Sequence, residues 1–404
     1  MYVKSNMLKL QLLSSMLLCI AALVLLAGCQ NVTAQARSVP ALKAAPDPWN
    51  SFMYGFNVNS SNDGIVFNHD ANNAKREVLT QYVLYNPQYD GVSPNGKDFI
   101  YQQSIDGQMQ YFTGLSIRPK TGYFYQQAAA DAGNALWVKD NQNALVLNKG
   151  KGVSVVDVHT GLNHQIISLP YSAKGITVQR IERLIAYQGG FVYFIGAEGV
   201  CKNTLCRVAL TTDHPQYNAS RITDAESYTS TYWFSADGKT VYYRNTNIRI
   251  NYGTGIYAVN SDGTHLQLLR ATEELGGVIN SQPVGFDAHG ALLIVRYTNG
   301  NFQLTRLGNT PQQDSVLVKN IAPGIALPSC SDASTDLCSE NLLLSPSAQA
   351  LMVQGKLSNG NDQLWETHIP SGAQYVVSNL GNKQGDAVQL IGWDQLLVCA
   401  GNRC

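Results

Sequence analysis

The sequence is poor in charge. Asp, Glu, Lys and Arg make up 14% of its 404 residues, against about 25% in an ordinary soluble domain. Coiled coils and other all-helical chains draw heavily on Glu, Lys and Arg, so this scarcity speaks against an all-helical fold. The 28 basic residues are balanced by 28 acidic ones and gather in no visible cluster. That removes the electrostatic footprint of a nucleic-acid binder. Catalytic signatures are equally scarce. There is no G-x-S-x-G nucleophile elbow, no H-E-x-x-H, no P-loop and no dinucleotide-binding glycine pattern after a strand. No catalytic residue, metal site or cofactor is therefore expected, and nucleic acid is not expected as a partner. What fills the chain is a 45% apolar fraction, ample for a core, together with many Tyr and Gly residues.

The first conspicuous apolar run stands at the N-terminus. Lys4 and Lys9 precede a nearly unbroken stretch from Leu17 to Leu26, followed by Ala27-Gly28-Cys29. A basic start, a short apolar core and small residues at its end describe a secretory signal, shorter than the ~20 residues of a membrane span. The tetrapeptide Leu26-Ala27-Gly28-Cys29 resembles the lipobox of bacterial lipoproteins. The resemblance implies that 1–28 is removed and that Cys29, acylated, heads the mature chain. With Gln30 and not Asp after the cysteine, it implies export to the periplasmic face of the outer membrane. The alternative is an uncleaved anchor helix in which Cys29 is an ordinary thiol. Residues 29–48, polar, Ala-rich and carrying Pro40, Pro46 and Pro48, read as a flexible tether. Extended, it would reach roughly 60 Å. Residues 49–404 are expected to form a single domain.

Six cysteines remain once Cys19 and Cys29 are set aside, in three close pairs: Cys201 with Cys206, Cys330 with Cys338, and Cys399 with Cys404. An even number in an exported chain reads as disulfides, and the clustering favours the local pairings. No pair has the C-x₂-C spacing of a zinc ribbon. Local bridges close short loops, so they are expected to pin loops and not to create the core.

Internal repeats give the architecture. Residues 233–263 run through a strand end, a turn at Asp237-Gly238, an apolar strand, a loop, a second strand and a turn at Asp262-Gly263. Val/Tyr/Ile runs bounded by Asp-Gly are a hairpin signature. The same order recurs around Asn95, Gln142, Gly189, His289, Ser347 and Asp394. With Asp237 these anchors are spaced 47, 47, 48, 52, 58 and 47 residues apart. A period near 50 with about four short strands is that of a β-propeller blade. The longest interval contains Cys330 and Cys338, as a disulfide-clipped loop insertion would. The expected fold is an all-β propeller, seven four-stranded blades or alternatively six. After the seventh anchor there is room for only two strands, near Ala387–Ile391 and Leu396–Ala400. The strand-like segments Phe52–Val58, Ile65–Phe67 and Val78–Tyr85 are surplus to the first blade, so N-terminal strands are expected to complete the last one.

The segments Phe234-Ser235-Ala236-Asp237-Gly238-Lys239 and Ile256-Tyr257-Ala258-Val259-Asn260-Ser261-Asp262-Gly263, with Ser93-Pro94-Asn95-Gly96-Lys97, resemble the repeats of the TolB-like propeller family. The resemblance covers about residues 88–400 as a period. It implies the propeller fold and extends only weakly to a role in the cell envelope.

Read singly, Asp237, Asp262 and Asp287 look like catalytic carboxylates. In their repeats they occupy turn positions where Asp bonds its own backbone. His159 and His164 flank one hairpin turn and make at best a weak metal pair; most of the seven histidines fall in turns or outer hairpins, as solvated surface residues do. The most aromatic stretch, Tyr228–Phe234, is placed on the inner strand of the fourth blade. Tyr228, Tyr232 and Trp233 are candidates for a partner-binding face, with inter-blade core as the more common alternative. The function expected is a lipid-tethered scaffold that binds another envelope protein. A propeller enzyme or glycan-binding protein with a site at the central channel is the second possibility.

Overall fold

A computed structural model describes residues 51–394 of the chain. Outside it lie 1–50, 395–404, the segments 58–63, 71–74, 84–92, 96–97, 106–107, 116–126, 129–131, 158–159, 174–175, 210–218, 224–231, 246–252, 276–280, 299–300, 324–341, 358–359 and 378–387, and positions 139, 141, 149, 161 and 361. In the strands before residue 135, Phe52 is the one side chain described.

The described residues form antiparallel sheets that follow one another along the chain, and all but the closing one are built from consecutive strands. Blade 1 has three: Asp98–Ile105, Gln108–Leu115 and Gln127–Ala128. Blade 2 comprises Ala132–Trp137, Asn143–Asn148, Gly152–Asp157 and Asn163–Ser168. Blade 3 comprises Ile181–Gln188, Phe191–Gly196, Leu205–Ala209 and Ala219–Arg221. Blade 4 comprises Tyr232–Phe234, Thr240–Asn245, Gly255–Asn260 and Gln267–Ala271. Blade 5 comprises Ser281–Phe286, Leu292–Thr298, Asn301–Arg306 and Ser315–Val318. Blade 6 comprises Leu342–Leu344, Ala350–Lys356, Asp362–His368 and Gln374–Val377. A small hairpin, Tyr171–Ala173 with Ile176–Val178, lies between blades 2 and 3. First strands of neighbouring sheets touch one another, as in blades 2 and 3, 4 and 5, and 5 and 6. This is an all-β propeller, with the expected turns between the first and second strands of blades 2–6.

The closing sheet is composite. Val388–Asp394 takes the first position, and Ser51–Asn57, Gly64–Asp70 and Lys75–Val83 supply the other three strands. N-terminal strands therefore complete the last blade. One detail differs from the sequence expectation. Gly392-Trp393-Asp394 is strand and not turn, with Phe52 opposite Trp393 and Ser51 opposite Asp394. Trp393 is buried edge-on against Phe52, centroids 5.2 Å apart, and its indole Nε1 donates to the Leu343 carbonyl of blade 6 at 2.9 Å. Burial of that ring outweighs the turn preference of the glycine before it. The expected strand at 396–400 lies outside the described residues.

Why the middle strands read as unbroken apolar runs is clear from their alternation. Successive side chains point to opposite faces of a sheet, and each of these sheets is covered on both. Tyr193 and Ile195 join the core shared with blade 4, while Phe194 joins that shared with blade 2. Leu292 and Ile294 face blade 4, and Leu293 and Val295 face blade 6. Leu351 and Val353 face blade 5, and Ala350 and Met352 face the closing blade.

Glycine opens the third strand of blades 2 and 4 for a steric reason. Gly152 has φ +129° and Gly255 φ +155°, and a Cβ on either would run into the backbone carbonyl of the outer strand, at Ile167 or Arg270. Register slips in both pairings mark the bulge that brings the outer strand so close.

Candidate functional site

The carboxylates that resemble catalytic groups are engaged by their own turns. Asp237 Oδ1 accepts from the Ser235 hydroxyl at 2.7 Å and from the Lys239 N–H at 3.1 Å, and Ser235 Oγ accepts from the Thr240 N–H. Gly238 takes φ +69° to complete the turn. The Ser235 hydroxyl, then the Lys239 N–H, hold Asp237 below the usual carboxylate range. Asp262 is lowered in the same way by the Thr264 hydroxyl and N–H. For Asp287, burial alone would raise the pKa. The N–H groups of Ala291 and His289 and the charge of Arg306 outweigh it, so this group too stays low. Arg306 Nε lies 2.6 Å from Asp287 Oδ2, but its N–H is not aimed at the oxygen, so the contact is an ion pair without a hydrogen bond. Carboxylates stabilised as anions by fixed donors hold up a turn and are poor general acids near neutral pH. In blade 6, Ser345 plays the turn-holding part, accepting from the Gln349 and Ala350 N–H groups.

His164, His265 and His289 are exposed, and His368 is half-buried with Nδ1 2.8 Å from Ser371 Oγ. His159 lies outside the described residues. Among the described residues no cluster of three or more His, Cys, Asp or Glu side chains is placed to hold a metal.

Of the aromatic candidates, Tyr232 is buried in the seam between blades 3 and 4 with Tyr193, Tyr243 and Tyr257. Its ring lies 5.9 Å from that of Tyr243, which stacks on Tyr257 at 5.6 Å. This is the inter-blade core alternative. Trp233, next along the strand, is half-buried on the opposite face. Tyr228 lies outside the described residues.

Cys201 and Cys206 are bonded, with both cysteines fully buried in blade 3. The bridge ties a 3₁₀ turn at Gly199–Cys201 to the third strand. It contributes to the core shared with blade 2 as well as pinning a loop. Cys330, Cys338, Cys399, Cys404 and Cys29 lie outside the described residues.

Polar residues at strand ends escape a reading by motif. Arg244, Ser281 and Gln282 are buried, and Arg244 Nη1 donates to the Ser281 carbonyl and to Gln282 Oε1, each at 3.1 Å. Arg270, also buried, clasps Asp314 with Nε and Nη2 and donates to the carbonyl of Gly308. The signal available in the sequence is an arginine at the end of an apolar run in successive repeats: Arg244 after Thr-Val-Tyr-Tyr, and Arg296 after Leu-Leu-Ile-Val.

Comparison with solved structures finds the propeller again. The β-propeller domain of the trilobed protease from Pyrococcus furiosus is 9% identical, covering 83% of this chain and 96% of that one, at a TM-score of 0.51. That protein has an open velcro topology, whereas here Val388–Asp394 pairs with Ser51–Asn57. Oligogalacturonate lyase from Vibrio parahaemolyticus is 11% identical over 80% of this chain and 84% of its own, again at 0.51. TolB from Acinetobacter baumannii is 12% identical over 85% and 81%, at a TM-score of 0.43. At these identities the likeness concerns the fold alone. No family model matches the chain, and no curated protein does.

Proposed function

We propose that the chain is an outer-membrane lipoprotein, anchored through Cys29 on the periplasmic side, whose propeller binds another envelope protein. The observation that carries this reading is Leu26-Ala27-Gly28-Cys29 at the end of the N-terminal apolar run, ahead of a Pro-containing polar segment. A multiply acylated terminus, at ~0.8 kcal/mol per buried CH₂, fixes a protein to a bilayer and suits a scaffold. The propeller supports the reading because Asp237, Asp262 and Asp287 are taken up by their turns and not gathered at one point. In the aromatic stretch, Trp233 is the half-buried member within reach of a partner, whereas Tyr232 serves the seam.

The test has two stages. Labelled fatty acid is expected in the wild type and not in Cys29→Ser, and the labelled protein is expected in the outer-membrane fraction. Crosslinking in cells followed by capture of the native lipoprotein should then yield a discrete protein partner. The second reading is an enzyme or glycan-binding propeller, and it has the support that an oligogalacturonate lyase is built on this fold. Capture of envelope glycan with no protein partner would put it first.

A further inference from the structure

The seam between blades 4 and 5 ends in two arginines, remote from the Asp-Gly turns. Along the second strand of blade 4, Val241 and Tyr243 face blade 3 and Tyr242 faces blade 5. By the same alternation Arg244 follows Tyr242 into the blade 5 side. In blade 5, Leu292 and Ile294 face blade 4, and Arg296 continues their side. Arg296 thus extends the seam beyond Leu292 and Ile294, and Arg244, opposite Ile256 in the register, stands at the level where the apolar layer ends. The register ties them together. Arg296 stands opposite Ser281, and the Ser281 carbonyl is an acceptor of the Arg244 guanidinium.

The same seam contains a completed arginine site for comparison. Arg270 presents its fork to both oxygens of Asp314 and is almost wholly buried with it. Arg296 has no such complement: its Nε is buried and without a hydrogen-bond partner among the described residues. A desolvated guanidinium N–H calls for an acceptor, and the planar fork matches the two oxygens of a carboxylate. We propose that this end of the blade 4–blade 5 seam binds a carboxylate group of a ligand through Arg296, with Arg244, held by Gln282 and the Ser281 carbonyl, adding positive charge beside it. A free organic acid and an acidic peptide segment offer the same chemistry, and the test separates them.

The mature lipoprotein in detergent is titrated at low salt with glutarate, with a pentaglutamate peptide and with inorganic phosphate. Saturable binding of either carboxylate probe is expected, falling with ionic strength and weakened about tenfold or more in Arg296→Gln, because a charge-assisted fork is lost. Arg296→Lys, a point charge without the fork, should fall between the two. Arg296→Gln is the deciding variant, since Arg296 is half-exposed and its side chain makes no hydrogen bond among the described residues. Arg244→Gln leaves two buried acceptors unpaired, so its melting temperature is measured alongside. Absence of saturable binding to both carboxylate probes, wild-type affinity in Arg296→Gln, or tighter binding of phosphate than of either probe overturns the assignment. Fatty-acid labelling, fractionation and capture of a protein partner by the wild type test the scaffold reading without the titration, so the two proposals fail separately.

Discussion

Replacing Trp393 with Ala tests the closure of the ring at its most loaded side chain. The indole is 4% exposed, meets Phe52 edge-on at 5.2 Å and donates to the Leu343 carbonyl. Its truncation therefore opens a cavity between blade 6 and the composite blade and leaves a backbone acceptor without its partner. Buried Trp→Ala changes cost about 3–5 kcal/mol, and the stability of a whole protein is about 5–15 kcal/mol. Trp393→Phe keeps most of the apolar contact and loses the N–H, so its cost should be about 1–2 kcal/mol. Urea unfolding followed by far-ultraviolet circular dichroism reads both values, provided the m-value is unchanged. Deletion of 387–404 is the harsher form: it removes the whole Val388–Asp394 strand, uncovers the edge of Ser51–Asn57 and should cause aggregation. Deletion of 30–46 should leave a stable domain. A destabilisation below about 1 kcal/mol for Trp393→Ala, or an unchanged melting temperature after deletion of 387–404, would refute closure as a main source of stability.

Gly255→Ala sets a Cβ against the Arg270 carbonyl at a φ of +155°, and a loss of about 2 kcal/mol or more is expected in the same unfolding assay. Asp314→Ala leaves the buried Arg270 charge without its carboxylate, which should cost about 3–5 kcal/mol, and Arg270→Met combined with it should recover part of the loss. The depressed pKa of Asp287 gives a signed acid response: its contribution is present above the unfolded value of 3.8 and is lost as pH falls through the lower folded value. Asp287→Asn should accordingly be less stable at neutral pH and show a flatter loss of stability below about pH 4.

How much of this was legible in the sequence differs from feature to feature. Turns of the Ser-x-Asp-Gly kind announce themselves because the side chain that holds the backbone is local, as Ser235 and Asp237 show. Strand positions were legible for the same reason, since Val-Tyr-Tyr and Leu-Leu-Ile-Val runs flank those turns. The continuation of strand through Gly392-Trp393 was hidden, because its cause is Phe52 and Leu343, distant in the chain. Bulge glycines such as Gly255 show only as an ordinary Gly until the outer strand is placed against them. The arginine pair was invisible to motif reading. Arg244 and Arg296 stand 52 residues apart, and the pairing of Ser281 with Arg296 brings them to one seam.

The composite blade also orders events in time. Ser51–Asn57, Gly64–Asp70 and Lys75–Val83 precede blades 1–6 in the chain, yet the strand that covers the edge of Ser51–Asn57 is completed only at Asp394. Loops of such length close slowly because their entropy is lost before any contact rewards it. Blades 1–6 are each local in sequence and can assemble as they emerge, while the N-terminal sheet waits with an open edge. A factor that shields unpaired strand edges would therefore find its longest-lived target in Ser51–Asn57, the strand that Val388–Asp394 covers.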